Sequence, residues 1–152
     1  MDLVTALILT WAVCVLGISA LLHEFGHAWT ARAVGWKVIG LRWRWYGVAC
    51  VADPNGKPHQ LWKVALGGLA ATALLALVFL AGTTLPDPAP FLFGLGFALN
   101  ATLLLTNLVP IRALDGGQVL AGLKKTRQTS ISRRRPPGTR VLSERGEGGR
   151  DG

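Results

Sequence analysis

Three long apolar stretches, separated by shorter polar segments, dominate the pattern of the chain. Residues 3–22 are almost unbroken apolar sequence, and residues 64–85 and 91–109 form two further stretches. A helix of about 20 apolar residues crosses the hydrocarbon core of a bilayer. The pattern therefore predicts a mainly α-helical, polytopic membrane protein with three transmembrane helices.

The first apolar stretch predicts a helix over about residues 3–34, with Gly35 as its stop signal. A cleaved signal peptide is the alternative, because small residues lie near the inner end of the stretch. Asp2 is the only charged residue before it, and the basic segment that begins a signal peptide is missing. We therefore expect the span to be retained.

The polar segment over residues 36–58 predicts a small β-hairpin. Apolar and basic residues alternate here with a period of two, as in an amphipathic strand: Leu41, Arg42, Trp43, Arg44 and Trp45. Gly47 allows a turn into a second short strand, which gives an interfacial hairpin over 37–52. The alternative is an interfacial loop with its Trp and Arg side chains at the level of the lipid headgroups.

The remaining segments complete a membrane core over residues 1–123. Small residues over 67–71 open the second span and predict close packing against the first helix. The proline-rich linker over 86–90 marks a turn outside the bilayer, and Pro110 ends the third span. Residues 124–152 are basic and poor in apolar residues, which predicts a disordered tail.

Composition supports a membrane protein and argues against nucleic acid as a partner. Of 152 residues 51% are hydrophobic and 16% charged, with a mean hydropathy of +0.40, which is too apolar for an ordinary soluble domain. The net charge of +8 comes from loops and the tail, so the lipid bilayer is the expected partner. Cys14 and Cys50 form no CxxC pair and indicate neither a redox compartment nor a thiolate metal site.

Basic residues predict the orientation. They occur in the loop after the first span and in the tail, whereas the linker between the second and third spans has none. By the positive-inside rule the hairpin and the C-terminal tail are cytoplasmic and the N-terminus is outside. We expect an integral protein of the plasma (inner) membrane of a prokaryote. The first and third helices then both end at the cytoplasmic side.

The motif His23-Glu24-Phe25-Gly26-His27 lies at the inner end of the first apolar stretch. Two histidines spaced i, i+4 project from one face of a helix and can bind one Zn²⁺ together. Glu24 can take a proton from a metal-bound water. The alternative is that these are ordinary polar residues at a helix end. It does not explain well why three ionisable groups lie beside a membrane span, where such groups are costly.

A catalytic zinc usually has three protein ligands, so a third is needed. Asp115 is the candidate, because the other acidic residues are terminal, in turns or in the tail. The helix break at Pro110 and the small pair Gly116-Gly117 let Asp115 turn inward. His59 is a rival ligand in the polar loop. Asp115 has an alternative role as the N-cap of a short helix over 116–124, and both roles are compatible.

Two motifs carry a resemblance to a known family. His-Glu-x-x-His at residues 23–27 and Asn-x-x-Pro-x-x-x-Leu-Asp-Gly-Gly at residues 107–117 resemble the site-2 protease family of intramembrane zinc metalloproteases, over residues 3–123. The resemblance implies that His23, His27 and Asp115 hold one Zn²⁺ per chain and that Glu24 is the general base. It also implies a three-span core with a membrane-embedded strand segment after the first motif, and transmembrane proteins as substrates.

The chain departs from that family in two places. Members commonly carry Gly-Pro with a nearby Asn at the start of the second core span, whereas residues 67–71 here have neither Pro nor Asn. Asn100 and Asn107 are the candidates for the missing transition-state support. Arg112 stands where members often have a second proline; it either snorkels to the headgroups or alters the charge at the substrate entrance.

The expected function is hydrolysis of peptide bonds within or near transmembrane segments of membrane proteins. We expect Leu41 and Trp43, on an edge strand over 41–45, to hold the substrate extended by β-augmentation. The alternative is a catalytically silent relative that binds and regulates membrane partners. A di-iron oxygenase needs more than the three histidines present, and a transporter has little support without internal repeats. Substrate, regulator and oligomeric state have no signal in the sequence.

Overall fold

The structure is a computed structural model that describes residues 2–44 and 47–134. The described residues form four helices and a two-stranded antiparallel sheet. In chain order these are α1 (Leu3–Ala33), β1 (Lys37–Arg44), β2 (Gly47–Asp53), α2 (Leu61–Gly82), α3 (Ala89–Leu108) and α4 (Asp115–Arg134), with a 3₁₀ turn at Pro58–Gln60 before α2. The mainly helical fold with one small hairpin is as predicted.

Helices α1, α2 and α3 are each long and apolar enough to cross a membrane, and in the described part of the chain α4 is not. Their large apolar side chains point mostly outward: Leu7 is 61% exposed, Leu74 64% and Leu105 65%. Continuous apolar surface of this extent is unfavourable in water and suits hydrocarbon. The predicted fold class, with three candidate membrane-spanning helices, is confirmed.

Helix α1 ends where the sequence predicts. Gly35 adopts a φ of +83°, a left-handed conformation that glycine reaches without steric cost. The N–H of Gly35 donates to the carbonyl of Arg32 at 3.0 Å, and the N–H of Trp36 donates to the carbonyl of Ala31 at 2.8 Å. These bonds satisfy carbonyls that the helix end leaves open and turn the chain into β1.

The helices α1 and α2 approach each other closely through glycine. A Cβ added to Gly26 would clash with the backbone carbonyl of Gly67, and one added to Gly67 would clash with Thr30. The hydroxyl of Thr30 donates to the carbonyl of Gly26 at 3.0 Å. The close packing predicted for residues 67–71 is therefore present, and it brings α2 against the face of α1 that carries both histidines.

The hairpin packs beside the inner half of α1. Its register pairs Lys37 with Asp53 and Leu41 with Cys50, with an irregularity between Val38 and Gly40. A small apolar core of Ala31, Trp36 and Val64 lies between the hairpin, α1 and α2. The predicted hairpin is therefore present, and the alternative of an irregular loop is not. Trp45, part of the predicted alternation, lies outside the described residues.

The structure corrects the prediction for the start of the tail. Residues 124–134, expected to be disordered, continue α4 as far as Arg134. This stretch contains neither Gly nor Pro, and a helix already begun at Asp115 adds each further residue without a new nucleation cost. The rest of the predicted tail, residues 135–152, lies outside the described residues.

The glycine contact between α1 and α2 yields a first prediction. Gly26→Ala should destabilise the protein by about 1–3 kcal/mol, because the methyl group overpacks a backbone contact. Unfolding by denaturant in detergent micelles measures the change. Gly17→Ala is the matched control, since a Cβ at Gly17 in the same helix meets nothing within 4 Å. Equal stability of the two variants would contradict the close contact.

Candidate metal centre

Two elements far apart in sequence bring the predicted ligands together. His23 and His27 lie one turn apart on α1, and Asp115 is the first residue of α4. The Nε2 atoms of the two histidines are 3.1 Å apart. The Oδ2 atom of Asp115 lies 3.1 Å from Nε2 of His23 and 3.3 Å from Nε2 of His27. The three residues form a group that could hold a metal ion.

The hydrogen bonds of the other ring nitrogens indicate the tautomer of both histidines. Nδ1 of His27 lies 2.9 Å from the carbonyl oxygen of Val64, which can only accept, so Nδ1 carries the proton. Nδ1 of His23 lies 2.8 Å from the hydroxyl oxygen of Thr72, whose own proton points to the carbonyl of Gly68. In the neutral rings both Nε2 atoms therefore present a lone pair to the cluster.

The cluster thus joins three acceptors: two Nε2 lone pairs and one carboxylate oxygen. Acceptors at this separation repel one another unless a proton or a metal cation lies among them. Tetrahedral coordination with ligand distances of about 2.0–2.1 Å, as for Zn²⁺, places ligand atoms about 3.3–3.4 Å apart. The observed separations of 3.1–3.3 Å match that spacing. The donor set and its geometry therefore fit a single metal ion.

The ligand set is buried. The side chains of His23 and Asp115 are 8% and 9% exposed, and that of His27 is 12% exposed. Among the described residues, Oδ2 of Asp115 has no hydrogen-bond donor, and its near polar neighbours are the two Nε2 atoms. Burial raises the pKa of Asp115, but the two imidazoles beside it lower that pKa by a larger amount. The net pKa of Asp115 is therefore below its usual value. Asp115 is therefore an ionised carboxylate at neutral pH.

Glu24 faces a cavity beside the cluster. The cavity, of about 550 Å³, is lined by all three candidate ligands and by Glu24, with walls from α1, β2, α2, α3 and the first turn of α4. Glu24 accepts a hydrogen bond of 2.6 Å from the N–H of Cys50 on β2. That N–H points away from β1, so the open edge of β2 borders the cavity. A carboxylate, a candidate metal position and a strand edge thus meet in one cavity.

Cys50 also lines the cavity, beside Glu24. Burial raises the pKa of the thiol, and the negative charge of Glu24 raises it further, while Arg32 lowers it. The thiol is therefore protonated at neutral pH, and Cys50 is not part of the group of three candidate ligands.

Other predicted site residues lie in different surroundings. Asn107 lines the cavity and its amide donates to the carbonyl of Leu103. Asn100 is fully buried in the helix bundle and donates to the carbonyl of Gly96, so the structure does not bring it to the cavity. The rival ligand His59 is exposed on the 3₁₀ turn and is not part of the cluster.

The strand edge at the cavity differs from the one expected. Leu41 and Trp43 are 55% and 82% exposed, and among the described residues β1 contributes nothing to the cavity wall. Val48, Ala49, Cys50 and Ala52 of β2 line it instead. The alternation in β1 indicates that its side chains point to two opposite faces, but it does not tell which strand of the hairpin borders a neighbouring helix.

Helix α2 contributes contacts that the sequence did not reveal. It provides no metal ligand, yet the carbonyl of Val64 and the hydroxyl of Thr72 hold the two imidazoles. A Cβ on Gly68 would clash with both rings. A threonine and a glycine inside an apolar helix are common, so no local pattern marks these positions as part of a site.

These features define the class of site: a candidate mononuclear metal centre of two histidines and one aspartate, within a bundle whose helices can cross a membrane. The chain is 34% identical over 127 residues to a protein of Synechocystis sp. named "Putative zinc metalloprotease sll0528". The matched region is 81% of this chain and 32% of the relative, so the chain matches about a third of that protein's length. No protein-family model matches the chain, and no solved structure matches it.

The metal centre yields a second prediction. The purified protein should bind about one divalent metal ion per chain, and His23→Ala should lower that content to near zero because a site with two ligands holds the ion poorly. Elemental analysis after dialysis measures the content. His59→Ala is the matched control and should retain the ion. Retention by His23→Ala, or equal loss in both variants, would contradict this site.

Proposed function

We propose that this protein is an intramembrane zinc metalloprotease of the site-2 protease type, which hydrolyses peptide bonds within or near transmembrane segments of membrane proteins. The observation that carries the proposal is the convergence of two Nε2 lone pairs and an aspartate oxygen at 3.1–3.3 Å, beside the carboxylate of Glu24 in a shared cavity. The name of the Synechocystis relative supports zinc and proteolysis.

In this proposal His23, His27 and Asp115 hold Zn²⁺, and Glu24 is the general base. When bound, the ion would lower the pKa of water and polarise a peptide carbonyl. Glu24 lines the same cavity as the three ligands, so its carboxylate can accept a proton from water there and pass it to the leaving amine. The hydrogen bond from Cys50 keeps that carboxylate oriented toward the cavity.

The substrate would lie extended along β2. Peptide bonds in a transmembrane helix are hidden by their own hydrogen bonds, so the target must unwind and its backbone needs new partners. The open edge of β2 offers such partners next to the candidate ligands. We propose this edge, rather than the exposed side chains Leu41 and Trp43 of β1, as the docking strand.

The proposed setting is the plasma membrane of a prokaryote, with the N-terminus outside and the hairpin and tail cytoplasmic. Two observations support it. His23 and His27 lie in the inner third of α1, and the first turn of α4 reaches them just after α3 ends. The basic residues of the loop after the first span and of α4 follow these same ends of α1 and α3 in the chain.

A second candidate function is a catalytically silent protein that binds membrane partners. Glu24 is engaged by the backbone of β2, and a carboxylate in that position can serve to anchor the hairpin without any proton transfer. In that case the metal would be structural, and the cavity a binding groove.

Glu24→Gln distinguishes the two functions and is the third prediction. Glutamine can still accept the hydrogen bond from Cys50, but it cannot take a proton, so cleavage should fall by about 10²–10⁴-fold. Cleavage of a panel of single-span substrates in proteoliposomes measures the rate, and elemental analysis should show unchanged metal. Unaltered cleavage would exclude Glu24 as the base, and absent cleavage by the parent protein on every substrate would favour the silent binder.

The docking strand yields a fourth prediction. Val48 lies two residues before Cys50, so its N–H points to the same open edge. Val48→Pro removes that donor from the edge and should reduce cleavage by about tenfold, the effect of losing one backbone hydrogen bond of about 1–1.5 kcal/mol. Val48→Ala keeps the N–H and is the matched control. Metal content should not change in either variant, and equal cleavage by both would dismiss docking on β2.

A further inference from the structure

Helix α2 contacts both candidate metal ligands from a single face. The carbonyl of Val64 accepts from Nδ1 of His27, Gly68 packs against both rings, and Thr72 contacts Nδ1 of His23. These three positions are spaced by four residues and therefore lie one above the other along the helix. The α2 helix thus orients the ligands without binding the metal itself.

The hydrogen bonds of Thr72 run in one direction. Its hydroxyl donates to the carbonyl of Gly68 at 3.1 Å, which uses its one proton. The hydroxyl oxygen lies 2.8 Å from Nδ1 of His23 and accepts there when its proton is on the carbonyl of Gly68. In that arrangement His23 carries its proton on Nδ1, and Nε2 remains free to bind a cation.

The contact between Thr72 and His23 is buried. Thr72 is 2% exposed and His23 is 7% exposed, so bulk water has little access to the bond between them. Loss of the hydroxyl would leave the Nδ1 proton buried without an acceptor, which is costly in an apolar environment. The ring would then be free to rotate or to move its proton to Nε2, where it would block the metal.

We propose that Thr72 is a positioning residue that sets the tautomer and orientation of His23 and thereby the metal affinity of the site. This inference rests on the metal centre of the proposed function, but it does not depend on proteolysis. The two histidines differ in this respect, because His27 is held by the backbone carbonyl of Val64, which no side-chain substitution removes. The affinity of the site is therefore open to change through Thr72.

The test compares metal affinity in three variants. Thr72→Val keeps the shape and removes the hydroxyl, so the affinity for Co²⁺ or Zn²⁺ should fall by about 10–100-fold, as for other lost partners of metal-binding histidines. Thr72→Ser restores the hydroxyl and should recover most of the affinity. Thr102→Val is the matched control, because the hydroxyl of Thr102 bonds only within its own helix, to the carbonyl of Ala98. Competition with a chelator measures each affinity.

Two spectroscopic measurements separate positioning from a general loss of stability. The visible absorption of bound Co²⁺ should change in Thr72→Val and return in Thr72→Ser. Nitrogen NMR of the parent protein with ¹⁵N-labelled histidine should show the proton of His23 on Nδ1, which requires no variant. Parent-like affinity of Thr72→Val, failure of Thr72→Ser to recover it, or a proton on Nε2 in the metal-free parent would each overturn the proposal. Absent cleavage with normal metal binding would count only against the proposed protease.

Discussion

The structure depends on three hydrogen-bond acceptors that lie close together and that a cation would stabilise. Two imidazole lone pairs and one carboxylate oxygen lie within 3.1–3.3 Å of one another in a buried site. The two residues after Asp115, Gly116 and Gly117, pack closely against the backbone of the turn after α3. Binding of a cation would therefore favour the contact between α4 and α1, so metal affinity and folding are linked through Asp115.

Helix α2 allows the three candidate ligands to come together because it has small residues where it contacts α1. Small residues at the crossing of α1 and α2 leave no space between the helices, and Gly68 leaves only enough for the imidazoles. A larger residue at Gly68 would push the rings away from Asp115. Residues 67–71 depart from the pattern that the resemblance implies. In the structure this segment packs against α1, and its Gly68 packs against both imidazoles.

The parts of the fold and site that follow from local sequence were predictable, and the parts set by tertiary contact were not. The apolar stretches, the stop at Gly35 and the i, i+4 histidines are local patterns, and Asp115 followed from where the spans must end. The orientation of the hairpin was not predicted, because the alternation in β1 indicates a strand but not its neighbours, and the contact between Cys50 and Glu24 places β2 at the cavity. Thr72 carried no signal, since its role exists only once α2 packs on α1.

The contact between Glu24 and the N–H of Cys50 gives the hairpin a specific place in the proposed reaction. An unwound peptide in a membrane has exposed amide groups that each cost several kcal/mol without a partner. A strand edge compensates that cost by offering new hydrogen-bond partners. Cleavage is then expected only at the place where the strand edge holds the peptide. Because the same N–H row that would pair with the peptide also holds the carboxylate, the position of the base is tied to the position of the docked backbone. A peptide docked on this edge would therefore lie beside Glu24, as proton transfer to its leaving amine requires.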